Sequence, residues 1–200
     1  MRTLIVAVLL LLLTAPGCYF QRWGTQQGGP ELPQEVPATD LIVLVEDDVM
    51  RRICEDVGVF GRVGIEADPW PHVGGPTPHP PDAWIEVRVE EEPPDSAVHA
   101  AQFYFAISIV PALVSLGHAL PVLHLANRRL VLVARCPRPD DVWIRGNELD
   151  RVEVRYREGR VLWGLLAGMV CHKWMEPAPP EILEGGLRLL AKKLADPRQR

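Results

Sequence analysis

The sequence predicts an α+β fold, a mostly antiparallel sheet with one helix near each end of a single domain over residues 40–200. Three observations predict it. Short apolar or alternating runs of strand length recur through the middle of the chain. Apolar residues at helical spacing occur near Met50–Val57 and again near the C-terminus. A chain of 200 residues, 48% hydrophobic and 24% charged, can bury one sizeable core but would be cramped as two domains.

The first segment stands outside that fold. Arg2 and the α-amine form a positive start, and Leu4–Leu13 is an unbroken apolar run of ten residues. That length suits the core of an export signal and falls short of the roughly twenty residues a membrane-spanning helix needs. Thr14, Ala15, Pro16 and Gly17 then bring small or helix-breaking residues up to Cys18. The run ending in Gly17-Cys18 resembles the lipobox of bacterial lipoproteins, whose signal is cut just before a diacylglyceryl-modified cysteine. Gly17 and Cys18 match that pattern, whereas Ala15 and Pro16 depart from it.

The resemblance implies residues 1–17 as signal peptide and Cys18 as the lipidation site, in an oxidising envelope compartment. Two or three acyl chains there would make a stable anchor, which a single chain does not. Tyr19 stands where an Asp would resemble an inner-membrane retention signal, so in a Gram-negative envelope the resemblance implies the outer membrane, facing the periplasm. Removing residues 1–17 takes Arg2 away and leaves 20 basic and 26 acidic side chains, a net charge of -6. Attachment would then rest on lipid, with no electrostatic attraction to anionic headgroups.

Residues 18–39 read as the lipidated cysteine and a wet, irregular tether, because Gly28, Gly29, Pro30, Pro33 and Pro37 break regular structure. Leu41–Val45 reads as a buried strand. Glu46, Asp47 and Asp48 mark a helix start, Met50, Ile53, Cys54 and Val57 its apolar face, and Gly58 its end. Arg62–Ile65 reads as a short strand. Residues 68–82 carry six prolines and read as a loop of polyproline character. Trp84, Glu86, Arg88 and Glu90 alternate with Ile85, Val87 and Val89, the pattern of a half-buried strand.

No Asp, Glu, Lys or Arg lies between His99 and Asn127. Phe103, Phe105, Ile107 and Ile109 alternate with smaller or polar neighbours, and Pro111, Gly117 and Pro121 interrupt. Two buried strands joined by an irregular or short helical piece are expected over residues 100–126, with a membrane-inserted hairpin as the alternative. Asn127-Arg128 reads as a hairpin turn between 122–125 and 130–135, and Glu158-Gly159 as a second turn between 152–157 and 160–169. Val142–Arg145 reads as a short strand. The chain closes with a helix over Pro180–Ala195, its buried stripe Leu183, Leu187, Leu190 and Leu194, with Glu181 and Glu184 early and Lys192 and Lys193 late, as the helix dipole prefers.

Most enzyme classes find no purchase here. The three serines, Ser96, Ser108 and Ser115, fall in neither G-x-S-x-G nor S-x-x-K, and there is no phosphate-binding glycine loop, H-E-x-x-H or C-x-x-C. No basic stripe interleaved with aromatics suggests nucleic acid. Cys136 and Cys171 each end an apolar run and form the candidate disulfide, whereas Cys54 on a helical apolar face reads as core. His72, His79, His118, His124 and His172 are weak metal-ligand candidates, because their spacing fits no known zinc module. Glu90-Glu91-Glu92 with Asp95, and Asp140-Asp141, are acid/base candidates that read more simply as solvated strand ends. Trp70 in the proline loop is the tryptophan best placed for binding.

A strand, then a helix ending in Gly58-Val59-Phe60-Gly61-Arg62-Val63, then the strand Asp82–Val89 resembles small envelope lipoproteins with a single α/β domain. The expected function is that of a non-enzymatic, membrane-anchored envelope lipoprotein that binds an envelope protein partner, with no cofactor. A periplasmic metal-binding protein or enzyme using the histidines, cysteines and acids is the alternative.

Overall fold

In the computed structural model of the chain, the described residues are 19–65, 81–114, 122–138, 141–163 and 177–196. They form an α+β fold, a six-stranded mixed sheet with three helices. The strands are β1 (Tyr19–Gln26), β2 (Ile42–Val45), β3 (Arg62–Ile65), β4 (Ala83–Glu91), β5 (Val122–Arg138) and β6 (Asp141–Trp163). The helices are α1 (Asp48–Val57), α2 (Ser96–Val114) and α3 (Pro180–Ala195). Strand order across the sheet is β1-β6-β5-β4-β2-β3. β2 pairs in parallel with both β3 and β4, and β4 pairs antiparallel with β5 in the register Ile85↔Ala134, Val87↔Leu132 and Val89↔Leu130.

The chain divides into two compact units, and β1, β5 and β6 contribute residues to each. The described part of the first is 19–23, 94–114, 122–126 and 159–163. The described part of the second is 24–65, 81–93, 127–138, 141–158 and 177–196.

The second unit is built as its sequence suggests. Asp47 caps α1, its Oδ1 accepting from the Met50 N–H at 2.8 Å, and Gly58 ends it in the left-handed conformation, φ 67°, which a side chain would strain. Helix α3 runs over the predicted residues, and Ile182, Leu183, Leu187 and Leu190 are buried on the sheet. They meet Val43 and Val45 of β2, Ile85 of β4, Leu130, Leu132 and Ala134 of β5 and Val152, Val154 and Tyr156 of β6, with Met50 and Cys54 of α1 in the same core. Gly186 has a physical reason to lack a side chain: a Cβ there would lie 2.9 Å from the Leu132 Cδ1. The glycine costs helix propensity but lets α3 approach β5.

Four expectations fail. The first eight residues of the expected tether form β1, although 27–41 contains no helix or strand. Gly24 shows what permits the strand: its N–H donates to the Glu181 Oε1 at 2.8 Å, and a Cβ there would strike Ile182. Residues 96–114, expected in large part as strands, are one helix, α2. The Asn127-Arg128 turn does not exist, because β5 runs through it with Glu91↔Arg128 and Glu90↔Arg129 paired to β4. The Glu158-Gly159 turn does not exist either, because β6 continues through it. Glu158 is buried there, its Oε2 3.0 Å from the Arg128 Nε. Residues read as turn formers are thus committed to each other across neighbouring strands.

Residues 68–80 of the proline loop expected over 68–82, the chain at 115–121 and the continuation through 164–169 lie outside the described residues. Among the described residues no helix is long and apolar enough to cross a membrane.

Candidate functional site

Two surfaces stand apart from the core, one in each unit. The first is the outward face of α2. Asp95 starts this helix, its Oδ1 accepting from the Ala97 and Val98 N–H groups at 3.1 and 3.0 Å. Val98, Ala101 and Ser108 are buried on the inward side, and Phe105 meets the His124 ring edge-on with centroids 6.2 Å apart. On the other side Phe103, Ile107 and Val110 are 70%, 58% and 63% exposed. Steps of four and three put them on one stripe of the helix, and Ala106 on the same arc is exposed too.

The second surface is a cleft of about 840 Å³ in the second unit, between the segment Glu35–Leu41 and the end of α3 at Lys192, Ala195 and Asp196, with Asp82 on its wall. A smaller cleft of about 290 Å³ shares Leu41, Asp82 and Asp196 and adds Cys136, Leu149, Asp150 and Lys193. The segment between β1 and β2 is held by Thr39, whose N–H and Oγ1 both donate to the Val59 carbonyl, at 2.9 and 2.8 Å. Asp82 is fixed by a reciprocal pair with Ile42, accepting from its N–H at 2.8 Å and donating its own N–H to its carbonyl at 2.7 Å. Lys193 Nζ donates to the Asp150 Oδ1 at 2.9 Å and the Arg151 carbonyl at 2.8 Å. The cleft therefore has ordered walls and an acidic rim broken by Lys192. Among the described residues that line it, none forms a nucleophile–base pair.

The described acid/base candidates Glu90, Glu91, Glu92 and Asp95 hold ion pairs or a helix cap. The Glu92 Oε1 takes Arg129 at 2.8 Å and Arg155 at 3.1 Å, while Asp95 caps α2. Donating a hydrogen bond to Glu92 raises the already high Arg129 pKa. Glu86 is buried between Arg135, at 3.1 Å, and Arg88. Glu92 and Glu86 are thus carboxylates tied to guanidinium groups. Asp140 lies outside the described residues. On α1, the Arg51 side chain holds the Asp48 carboxyl below its ordinary value by hydrogen bonding first and charge second.

Of the expected site residues, Cys18, Trp70, His72, His79, His118, Cys171 and His172 lie outside the described residues. His124 lies on β5 against Phe105. Among the described residues no three His, Cys, Asp or Glu side chains converge as a metal site would require. Cys136 is exposed at the smaller cleft. Cys54 is in the core, as its helical spacing indicates, and burial pushes its thiol up to about 12, which makes it a poor nucleophile.

Neither surface is marked in the sequence. The cleft joins residues more than 150 positions apart. The α2 stripe hides in a segment that is apolar on all sides. No protein-family model matches the chain, and no curated protein matches it.

Proposed function

We propose that the chain is a lipid-anchored, non-enzymatic envelope protein that binds another envelope component. The observation that carries this reading is the N-terminal pattern: a positive start, ten apolar residues, and Gly17-Cys18 directly before the first residue of β1. A diacylglyceryl group on Cys18 would hold the protein to the membrane. The cleft between Glu35–Leu41 and the end of α3 supports a binding role, because its walls are ordered and its acidic rim suits a basic or polar segment of a partner protein.

Mass spectrometry of the mature N-terminus tests the anchor: a lipidated cysteine at position 18 is expected, and an unmodified Cys18 overturns the reading. Binding is tested by retention of envelope proteins on the immobilised lipidated chain. The wild type is expected to retain a partner that Ala195→Trp, which fills the cleft, does not. Equal retention by both removes the cleft from the proposal.

A further inference from the structure

We propose that the outward face of α2, built from Phe103, Ile107 and Val110, rests on the lipid bilayer and sets how the first unit lies against it, an inference that rests on the Cys18 anchor proposed above. The starting point is the position of β1 in the chain. β1 begins at Tyr19, the residue after Cys18. One residue spans at most about 3.6 Å, so a lipid on Cys18 would leave almost no slack between the bilayer and β1. Tyr19–Trp23 and α2 belong to the same compact unit. The long tether expected from the sequence would have let the domain drift from the membrane, whereas a strand starting at Tyr19 brings the apolar helix with it.

The chemistry of the face fits lipid. The chain has no Asp, Glu, Lys or Arg between Asp95 and Arg128, so bringing this stretch to the hydrocarbon boundary desolvates no charge. The exposed stripe is aliphatic and aromatic, with Gln102 at its margin and His99 one turn before Phe103 as polar exposed neighbours. It offers few hydrogen-bonding groups by which a protein partner could be oriented or selected. The mature net charge of -6 supplies no attraction to anionic headgroups, which leaves apolar contact as the available interaction. Orientation follows from the inward side. Val98, Ala101 and Ser108 are buried, so α2 would lie along the surface with one face in the lipid.

The test uses the full chain, produced with its own signal so that Cys18 is processed, and reconstituted into phosphatidylcholine vesicles. A photoreactive residue is placed in turn at Phe103, at Ile107, and at Asp56 on α1 as an exposed control. After irradiation, mass spectrometry reads what each position has captured. Lipid adducts at 103 and 107 and none at 56 are expected. Equal capture at all three positions, no lipid capture at 103 and 107, or capture of a second copy of the chain there overturns the inference. Circular dichroism identifies any substitution that fails to fold, and the other α2 position then decides. The N-terminal mass of the same sample separates two failures. An unmodified Cys18 defeats the anchor and this inference together, whereas a lipidated Cys18 without adducts on α2 defeats this inference alone.

Discussion

Helices α2 and α3 are of similar length, 19 and 16 residues, yet only α3 is readable in the sequence. α3 alternates apolar and charged residues at helical spacing, so its buried stripe stands out against Glu181, Glu184, Arg188 and Lys192. α2 packs Val98 and Ala101 inward and shows Phe103, Ile107 and Val110 outward, so both faces are apolar and no 3.6-residue period appears. What remains visible is a local alternation at Phe103, Phe105, Ile107 and Ile109, which imitates a strand. The difference teaches that periodicity reports contrast with water. Where a helix has apolar surroundings on one side and an apolar outer face on the other, the signal cancels.

The contrast can be tested by substitution, with stability read from chemical denaturation. Arg128→Met would leave Glu158 buried without its 3.0 Å partner and is expected to cost about 3 kcal/mol, while the double substitution with Glu158→Leu should recover much of that loss. Recovery would establish that the two side chains are energetically coupled, the loss in the single variant coming from a buried carboxylate deprived of Arg128. Leu187→Ala on α3 is expected to cost about 2–5 kcal/mol, because Leu187 is fully buried in the core. A loss well under that range would mean the α3 stripe does not carry the packing assigned to it.

Cys54 gives the comparison a pH dependence. Its thiol rises from the ordinary 9.0 to about 12 because burial disfavours the thiolate. The folded pKa lies above the unfolded one, so this contribution to stability is fully present below about pH 9 and is lost as pH climbs towards 12. Cys54→Ala should flatten the alkaline limb of the stability profile, and an unchanged limb would assign it to other groups. Asp47→Ala should cost about 1 kcal/mol by removing the cap of α1. The smallest effect is expected on α2, where Phe103→Ala in detergent-solubilised protein should change stability by about 0.5 kcal/mol or less, since the side chain is 70% exposed. A loss as large as that of Leu187→Ala would show that Phe103 is core and would end the reading of this face as a contact surface.

The strands carry the same lesson in another form. β2, β3 and β4 were legible because they are short and bounded by turn residues, and their ends agree closely with the apolar runs at 41–45, 62–65 and 83–92. β5 and β6 were not, because each contains a dipeptide that normally turns. Asn127 instead donates its amide to the Pro93 carbonyl at 3.2 Å, and Gly159 sits where a Cβ would fall on the Trp23 ring. Of the candidate surfaces, the cleft was invisible because its two sides meet through tertiary packing alone, and the α2 stripe because exposure is not a property of composition.

By itself the sequence determined what is local. It set the α+β class, the extents of α1 and α3, the Asp47 and Gly58 caps and the placement of Cys54 in the core. Each follows from spacing, capping chemistry and charge order within one or two turns of chain. Only the tertiary structure decided that residues 96–114 are helical, that β5 and β6 run unbroken, and that Tyr19–Gln26 joins the sheet. These depend on partners far away in the chain: Arg128 with Glu158, Gly24 with Glu181 and Trp23 with Gly159. Local propensity is worth a few tenths to about 1 kcal/mol per residue, which a buried ion pair or close-packed glycine can override.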